Sequence, residues 1–219
     1  MKNKDIAVIG LGRFGSSLAQ TLQQMGVSVL GIDVSDEKVN GLAEVLTETA
    51  VADITDEHVV RDLGLRNFDT VVVAMGQNIA ASLMITVMLK EAGVERVISK
   101  ASSEIHGRAL RLIGTDEVVF PERDMGVRLA KHIVSPNLLE FIELSPEHSL
   151  IETASSAHLA GKTLRQLDLR NKYGINVIAL RRRDQCNLSP SADDVVEEGD
   201  ILVLVGTTLD LERFQAKTS

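Results

Sequence analysis

Three glycines near the start of the chain have the spacing of a phosphate-binding turn. Gly10, Gly12 and Gly15 form the pattern G-x-G-x-x-G between a short apolar run and an apolar helical stripe. The first glycine permits a tight turn, the second lets a phosphate approach the backbone, and the third permits close packing of helix on sheet. The first N–H groups of such a helix have no helical partners and lie at its positive end, where anions bind. The pattern therefore predicts a nucleotide-phosphate site, with a ligand-free glycine turn as the alternative.

An acidic residue completes this pattern at the end of the next predicted strand. Asp33 follows Gly15 by eighteen residues, which is the usual place for a carboxylate that accepts hydrogen bonds from a ribose diol. The same charge repels a 2′-phosphate, so we expect NADP to be disfavoured. NAD(H), ATP and ADP all carry a ribose and a pyrophosphate, and the pattern leaves the choice among them open.

Three further side chains are candidates for the same site. Arg13 stands in the first helical turn, where a cation costs about 0.3–1 kcal/mol against the helix dipole unless it meets a phosphate; a solvated arginine is the alternative. Asp53 follows the third predicted strand. It either faces the adenine amino group or caps the loop at Thr55-Asp56. Lys100 ends the fifth predicted strand and is either a phosphate counter-charge or a surface lysine.

No set of residues in the sequence predicts catalysis. A dehydrogenase needs a proton donor beside the nicotinamide, and the five histidines are scattered at positions 58, 106, 132, 148 and 158. Those at 58, 106 and 132 fall on predicted helices, where a surface or partly packed position is ordinary. We therefore expect a non-enzyme, and keep an NAD-dependent oxidoreductase as the alternative.

The elements that position these residues alternate between strand and helix over the first 120 residues. Predicted strands cover 6–9, 27–32, 49–51, 70–74, 97–99 and 118–120, and predicted helices cover 13–25, 56–63, 78–91, 103–113 and 122–133, with a helix capped by Ser35 between them. Strands separated by helices form right-handed parallel β-α-β units. We therefore predict an α/β fold with a Rossmann-type doubly wound parallel sheet.

The alternation ends after Pro121, and the rest of the chain is richer in strands. Predicted strands there cover 141–144, 150–153, 177–180 and 201–205, with a short helix between the second and third and a last helix from Thr208. We predict a nucleotide-binding domain with its crossover helix at 1–134 and a small α+β domain at 135–219.

Composition excludes several classes of protein. The 219 residues carry a net charge of -8, which makes nucleic acid a poor partner, and the basic run Arg181-Arg182-Arg183 is interpreted as a solvated strand end. Cys186 is the one cysteine, so it forms no disulfide within the chain. The longest nearly apolar stretch is too short to span a membrane, and no signal peptide is recognised. We expect a soluble cytoplasmic chain.

Two stretches resemble a known family. Ala7-Val8-Ile9-Gly10-Leu11-Gly12-Arg13-Phe14-Gly15 resembles the start of RCK or KTN domains, the regulators of conductance of potassium. Phe120-Pro121-Glu122-Arg123-Asp124-Met125-Gly126 resembles the run that follows the sixth strand in KtrA/TrkA-type subunits of bacterial potassium uptake. The likeness covers nearly the whole chain, and a single N-lobe and C-lobe pair makes it look closest to KtrA.

The resemblance implies a function and a role for each site residue. KtrA-like proteins form dimers that assemble into octameric cytosolic rings beneath a membrane subunit of the KtrB or TrkH kind; ATP favours the conducting state and ADP the inactive one. The glycines, together with Phe14 of the same turn, would cradle the phosphates, and Asp33 would hold the ribose. Arg13 would reach the terminal phosphate in the neighbouring protomer, and Glu122 would bind Mg²⁺ or another cation beside that phosphate.

Two further expectations concern assembly and a second ligand. The apolar helix at 79–89 suits contact with another subunit, with ordinary burial against the sheet as the alternative. The C-lobe of KtrA-like proteins can bind cyclic di-AMP, and the resemblance places Arg170, Asn176 and Pro190 at that site; a ligand-free dimerisation lobe is the alternative. An NADH-binding regulator remains a rival to the whole assignment.

Overall fold

A parallel sheet organises the N-terminal part of the computed structural model, which describes residues 4–218. Its strands run in the order β3-β2-β1-β4-β5-β6, and every neighbouring pair is parallel. The strands are β1 Asp5–Ile9, β2 Ser28–Asp33, β3 Glu48–Val51, β4 Thr70–Val73, β5 Val97–Lys100 and β6 Glu117–Val119. The predicted doubly wound sheet is confirmed.

Helices connect these strands. They are α1 Arg13–Gln24, α2 Asp36–Asn40, α3 Glu57–Asp62, α4 Ile79–Glu91, α5 Glu104–Ile113 and α6 Pro121–Val134, with a 3-10 turn at Leu65–Asn67. Asp56, Asn78 and Ser103 cap α3, α4 and α5 with side-chain oxygens that accept backbone N–H groups. Ser35 stands at the N-cap position of α2, as predicted, but its side chain makes no capping hydrogen bond and its N–H donates to Asp33.

Apolar side chains cover both faces of this sheet. Ala7 and Ile9 of β1 point into one cluster with Ile85 and Leu89 of α4, whereas Val8 joins the opposite cluster. A strand that is buried on both faces reads as a continuous apolar run, which is why the sequence of β1 shows no alternation. Strand order reverses between β1 and β4, so a crevice opens at the carboxyl ends of these two strands.

The C-terminal part is built on an antiparallel sheet. Its strands follow the order β10-β9-β11-β8-β7 and are β7 Leu138–Glu143, β8 His148–Ala154, β9 Asn176–Arg182, β10 Gln185–Asn187 and β11 Ile201–Thr207. Its helices are α7 Leu164–Leu167, α8 Leu169–Tyr173 and α9 Thr208–Thr218. Phe214 of α9 is fully buried and meets the Tyr173 ring edge-on at 5.5 Å between centroids. The predicted small α+β lobe is confirmed, and β10 was missed because it is short and exposed.

The basic run at the end of β9 is partly exposed, as expected of a strand end, but two of its arginines form ion pairs that the sequence did not predict. Arg182 donates two hydrogen bonds of 2.8 Å to Asp200, whose side chain is only 2% exposed. Arg181 pairs with Glu152 on β8 at 3.2 Å. Arg182, which hydrogen-bonds to Asp200, holds the pKa of that carboxyl below its usual value, although burial opposes this shift. Arg181 and Arg182 therefore connect β9 to β8 and to the start of β11.

The chain divides into two compact units, Met1–Asp124 and Met125–Ser219. The boundary predicted between residues 134 and 135 lies at the end of α6, beyond this division, and stays a prediction. Within residues 4–218, no helix combines the length and apolar character needed to cross a membrane.

The first prediction concerns the packing of α1 against the turn that precedes it. A Cβ at Gly15 would overlap the carbonyl oxygen of Gly10 and lie 3.0 Å from the Cβ of Ala74. We expect Gly15→Ala to lower the free energy of unfolding by about 2 kcal/mol or more, because backbone cannot yield as a flexible side chain can. Urea unfolding followed by circular dichroism measures this.

Gly12→Ala is the matched control. A Cβ at Gly12 would meet nothing within 4 Å, and its φ of -73° and ψ of -172° suit alanine. We expect its stability to stay within about 0.5 kcal/mol of the parent protein. Equal losses in both variants would contradict the packing role of Gly15.

Candidate nucleotide site

The turn between β1 and α1 presents free backbone N–H groups at the sheet's carboxyl edge. Gly10 has a φ of +94°, a left-handed conformation that favours glycine, and its N–H donates to the carbonyl of Ile32 at 2.7 Å. Gly12 stands at the N-cap position and provides no side-chain cap. The first turn of α1 carries no acidic residue, so its positive end stays available to an anion.

Asp33 braces this turn from the end of β2. Its carboxylate accepts the N–H of Leu11 at 2.7 Å and the N–H of Ser35 at 2.9 Å, one on each oxygen. Lys38 of α2 lies within 3.1 Å and 3.2 Å of the two oxygens. The side chain of Asp33 is only 6% exposed, whereas that of Lys38 is 48% exposed. Asp33 therefore connects the glycine turn to the start of α2.

These contacts determine the ionisation of Asp33. Burial raises the pKa of the Asp33 carboxyl, but hydrogen bonds from the N–H groups of Ser35 and Leu11, with the ammonium of Lys38, lower it further than burial raises it. The net result is a pKa below the usual value, so Asp33 is ionised at neutral pH.

Most of the predicted site residues line one cavity of about 1020 Å³. Those at its wall are Gly10, Gly12, Arg13, Phe14, Asp33, Asp53, Lys100 and Glu122. Gly15 lies behind this wall, where its contact is with the backbone of Gly10. The cavity sits at the β1/β4 reversal, because residues after β1, β2, β3, β4 and β5 all reach it. Parallel strands bring their carboxyl ends to one edge, which collects residues that are distant in sequence.

Arg13 and Lys100 line this cavity together with Lys38, and the two differ in exposure and pairing. Arg13 is exposed and makes no ion pair within residues 4–218. Lys100 has a side chain that is only 12% exposed; its ammonium pairs with Glu122 and lies 5.6 Å from the centre of the Phe14 ring. Lys100 is therefore not the surface lysine that the sequence allowed.

Glu122 begins α6 and carries the predicted cation role. Its hydrogen bond with Lys100 lowers the pKa of the Glu122 carboxyl below the usual value, although partial burial opposes this. In the described part of the chain, no three histidine, cysteine, aspartate or glutamate side chains cluster as a metal site would require. A cation at Glu122 would therefore need ligands from outside this set, such as phosphate oxygens.

Asp53 accepts hydrogen bonds from Thr55, which is one of the two roles that the sequence allowed, and its contact with an adenine stays a prediction. One carboxylate oxygen accepts the N–H of Thr55 at 3.0 Å and its hydroxyl at 2.6 Å, which lowers the pKa of Asp53. Asp53 also lines the cavity, next to Ile54. Asp56, rather than Asp53, caps α3.

The three candidate residues of the C-terminal unit lie at its surface. Arg170 of α8 and Asn176 at the start of β9 are exposed, and Pro190 is half-buried. Arg170 forms no salt bridge with any described residue of the chain. Their common role in a second ligand site stays a prediction.

Sequence reasoning missed two side chains near the cavity. Lys38 follows Asp33 by five residues, so one turn of α2 returns it to the end of β2, and that spacing was the available signal. His106 was expected at the surface or partly packed, but it is buried and accepts the N–H of Ser102 at 3.2 Å. Burial lowers the pKa of His106, and only the packing of α5 reveals this.

Comparison with known proteins identifies the two parts of the chain. Residues 6–121 match the TrkA-N domain, and residues 149–219 match the TrkA-C domain. Ktr system potassium uptake protein C of Bacillus subtilis (strain 168) is 47% identical over 214 residues, which cover 98% of this chain and 97% of that protein. This chain belongs to the KtrA/TrkA family of potassium-uptake proteins. Ktr system potassium uptake protein A of the same organism is 40% identical, over 98% of this chain and 97% of that protein.

Solved structures with the same fold include several of the GsuK channel. The GsuK channel matches with a TM-score of 0.73 at 20% identity, over 100% of this chain and 40% of that chain. GsuK bound to NAD matches with a TM-score of 0.65 at 18% identity, over 96% and 38% of the two chains. GsuK bound to ADP matches with a TM-score of 0.54 at 17% identity, over 62% and 36%. At these identities the likeness establishes the RCK fold.

The bracing role of Asp33 in this KtrA/TrkA-family chain generates the second prediction. Because the folded pKa of Asp33 lies below its unfolded value of about 3.9, its ionised form stabilises the fold above that pH. This contribution is lost as the pH falls through the folded pKa. We expect Asp33→Asn to lower the free energy of unfolding by about 1–3 kcal/mol at pH 7, with a difference that shrinks in acid.

Urea unfolding at a series of pH values measures the difference. Asp53→Asn is the control: Asp53 is exposed and its side chain bonds only Thr55 among the described residues, so we expect a smaller loss than at Asp33. A penalty for Asp33→Asn that stays constant into acid would contradict the role of its charge.

Proposed function

We propose that this chain is a nucleotide-sensing gating subunit of a Ktr/Trk-type potassium uptake system. The observation that carries the proposal is one cavity at the β1/β4 reversal. It gathers the glycine turn, the ribose-type acid Asp33 with its partner Lys38, and the cations Arg13 and Lys100. Family membership supports the potassium-uptake context, and the chain is regulatory rather than enzymatic in this proposal.

The phosphates lie at the N-terminus of α1 in this proposal. Gly12 has open space where a Cβ would stand, so protein packing alone does not explain a glycine there. A phosphate that approaches the backbone does explain it. The ribose hydroxyls lie at Asp33, and the adenine extends towards Asp53.

ATP and ADP differ by one phosphate, and that phosphate must be what the subunit senses. Arg13 has no anionic partner in the described chain and is exposed, so it is free to contact the terminal phosphate of a neighbouring protomer's nucleotide. A ligand shifts a conformational equilibrium only by its difference in affinity for the two states. ATP then favours the active ring and ADP the inactive one.

The pairing of Lys100 with Glu122 is compatible with a cation beside the phosphates. When Mg²⁺ or another cation binds Glu122, the ammonium of Lys100 leaves that carboxylate and becomes a counter-charge for a phosphate oxygen. Glu122 is 71% exposed at its side chain, so it can exchange partners at low cost.

Exposed apolar side chains support assembly into an octameric ring built from dimers. Helix α6 buries none of its described residues, and α4 and α5 also present large apolar side chains to solvent. The more exposed ones are Ile79, Met84, Ile105, Leu112, Met125, Val127, Leu129, Ile133 and Val134. A monomer rarely exposes so many large apolar side chains. The ring would act at the cytoplasmic face of a KtrB- or TrkH-type membrane subunit.

The C-lobe supplies a second regulatory input in this proposal. Arg170 near the start of α8 and Asn176 at the start of β9 are exposed, so both are available to a ligand that bridges two C-lobes. Cyclic di-AMP is the proposed ligand, with Pro190 as an apolar contact, and its effect is inhibition. Guanidinium groups suit its phosphates.

NAD(H) is the second candidate ligand for the N-lobe cavity. GsuK bound to NAD shares this fold, and the volume of about 1020 Å³ extends from Asp33 past Gly76 to Lys100. An NADH-binding regulator or an NAD-dependent oxidoreductase is the corresponding alternative function. Melting shifts with ATP, ADP and NADH separate the ligands, and a substrate-dependent change in NADH absorbance identifies an enzyme.

The third prediction tests Arg13 as the sensor of the terminal phosphate. We expect Arg13→Ala to weaken ATP about tenfold or more, because a charge-assisted hydrogen bond is lost, and to weaken ADP much less. Calorimetry with each nucleotide measures both constants. Arg96→Ala is the control, since Arg96 pairs with Glu117 at 2.6 Å and does not line the cavity. Equal losses for ATP and ADP would remove Arg13 from this role.

The fourth prediction tests assembly. We expect the parent protein to have the mass of eight chains in solution, and the double variant Ile105→Glu with Leu112→Glu to form smaller species. These two side chains are 83% and 84% exposed, so the charges do not disturb a core. Light scattering measures the mass, and Met25→Glu, at a site 74% exposed just after α1, is the control. A parent protein that stays monomeric at working concentrations would contradict the ring.

A further inference from the structure

The carboxylate of Asp33 has a complete set of hydrogen-bond donors within its own chain. Leu11 and Ser35 each donate a backbone N–H to one oxygen, and the ammonium of Lys38 spans both oxygens at 3.1 Å and 3.2 Å. A carboxylate offers about four lone-pair positions. Two are therefore taken by backbone that cannot leave without breaking the turn, and the other two are taken by one lysine.

A ribose diol needs the same two positions that Lys38 holds. Two adjacent hydroxyls bind a carboxylate by donating one hydrogen bond to each oxygen, as the ammonium does here. The Lys38 side chain is 48% exposed, so it can move aside, whereas Asp33 is 6% exposed and held in place. Entry of an unmodified ribose thus exchanges the lysine for two hydroxyls.

A phosphate on the ribose 2′-oxygen changes this exchange. Such a group cannot donate to Asp33 and is repelled by it, but the ammonium of Lys38 lies beside that carboxylate and lines the same cavity. Lys38 then pairs with the phosphate as well as with Asp33. The negative charge of Asp33 alone would exclude a 2′-phosphate, and Lys38 offsets that exclusion.

We infer that Lys38 determines the ribose specificity of this cavity, because it competes with a free 2′,3′-diol and supplies a counter-charge to a 2′-phosphate. The inference rests on the proposed nucleotide site and adds to it a residue that sets the balance between plain and 2′-phosphorylated adenine nucleotides. Another side-chain hydrogen bond of α2 lies away from the cavity. Asn40 donates to Asp36 at 3.1 Å, and neither of these residues lines the cavity, unlike Lys38.

The test compares matched ligand pairs on Lys38→Met. The pairs are ADP with 2′-deoxy-ADP, and NADH with NADPH, which differ only at the ribose. We expect ADP and NADH to bind about two- to fivefold tighter to the variant, because their diol no longer displaces a half-exposed ion pair. We expect 2′-deoxy-ADP, with one hydroxyl fewer, to gain less, and NADPH to bind about tenfold weaker.

Two further variants make the comparison sharp. Lys38→Arg keeps the positive charge and should retain the NADPH affinity of the parent protein. Lys90→Met removes another lysine of the N-lobe that pairs with a carboxylate, Asp116 at 2.8 Å, but does not line the cavity, and should change no affinity. Circular dichroism of each variant monitors its folding.

The outcomes separate this inference from the proposed function. If Lys38→Met changes both members of each ligand pair by the same factor, Lys38 does not determine ribose specificity, although the nucleotide site stands. If the parent protein binds none of the four nucleotides in calorimetry, the proposed site and the inference both fail. Opposite shifts for NADH and NADPH support the inference.

Discussion

The close contact between α1 and the turn before it is the constraint on which the site depends. A Cβ at Gly15 would overlap the backbone of Gly10, and Asp33 holds Leu11 of the same turn at 2.7 Å. The helix can therefore direct its free N–H groups at the crevice only while both contacts hold. The structure stabilises an anion-binding geometry from two elements, β2 and α1, before any ligand contributes.

Charge pairing in the cavity follows from that geometry. Lys38 neutralises Asp33 and Lys100 neutralises Glu122, while Arg13 keeps no partner among the residues described. A nucleotide that enters must replace these pairs with its own hydroxyls and phosphates. Each exchange involves a half-exposed or exposed member, so each costs little, and small differences between ligands can decide which arrangement is populated.

Ion pairs that exchange at low cost suit a regulatory protein, and they contribute little to the stability of the fold. The core of the N-terminal unit is aliphatic and buried on both sheet faces, and it holds the carboxyl ends of the strands in place. In our proposal, a change at the cavity would reach a neighbouring subunit through the apolar side chains that are exposed on α4 and α5. The sheet therefore fixes the geometry of the site, whereas the ion pairs at the cavity and the exposed apolar side chains respond to a ligand.

The sequence by itself determined the features that depend on neighbours along the chain. Alternating apolar runs and helical stripes encode the order of strands and helices, and the spacing of Gly10, Gly12, Gly15 and Asp33 encodes a turn whose parts lie in one β-α-β unit. Such patterns can be read from the sequence because the periods of strands and helices involve only residues that are close along the chain. The family followed from the same stretches.

Tertiary structure alone decided which side chains meet. Glu122 meets Lys100 because the ends of β5 and β6 share one edge of the sheet, and His106 is buried because α5 packs where it does. Arg182 finds Asp200 only across the antiparallel pairing of β9 with β11. Such contacts depend on distances of a few ångströms between side chains on separate elements. Those distances are set only when the sheets form, so residue spacing in the sequence does not reveal them.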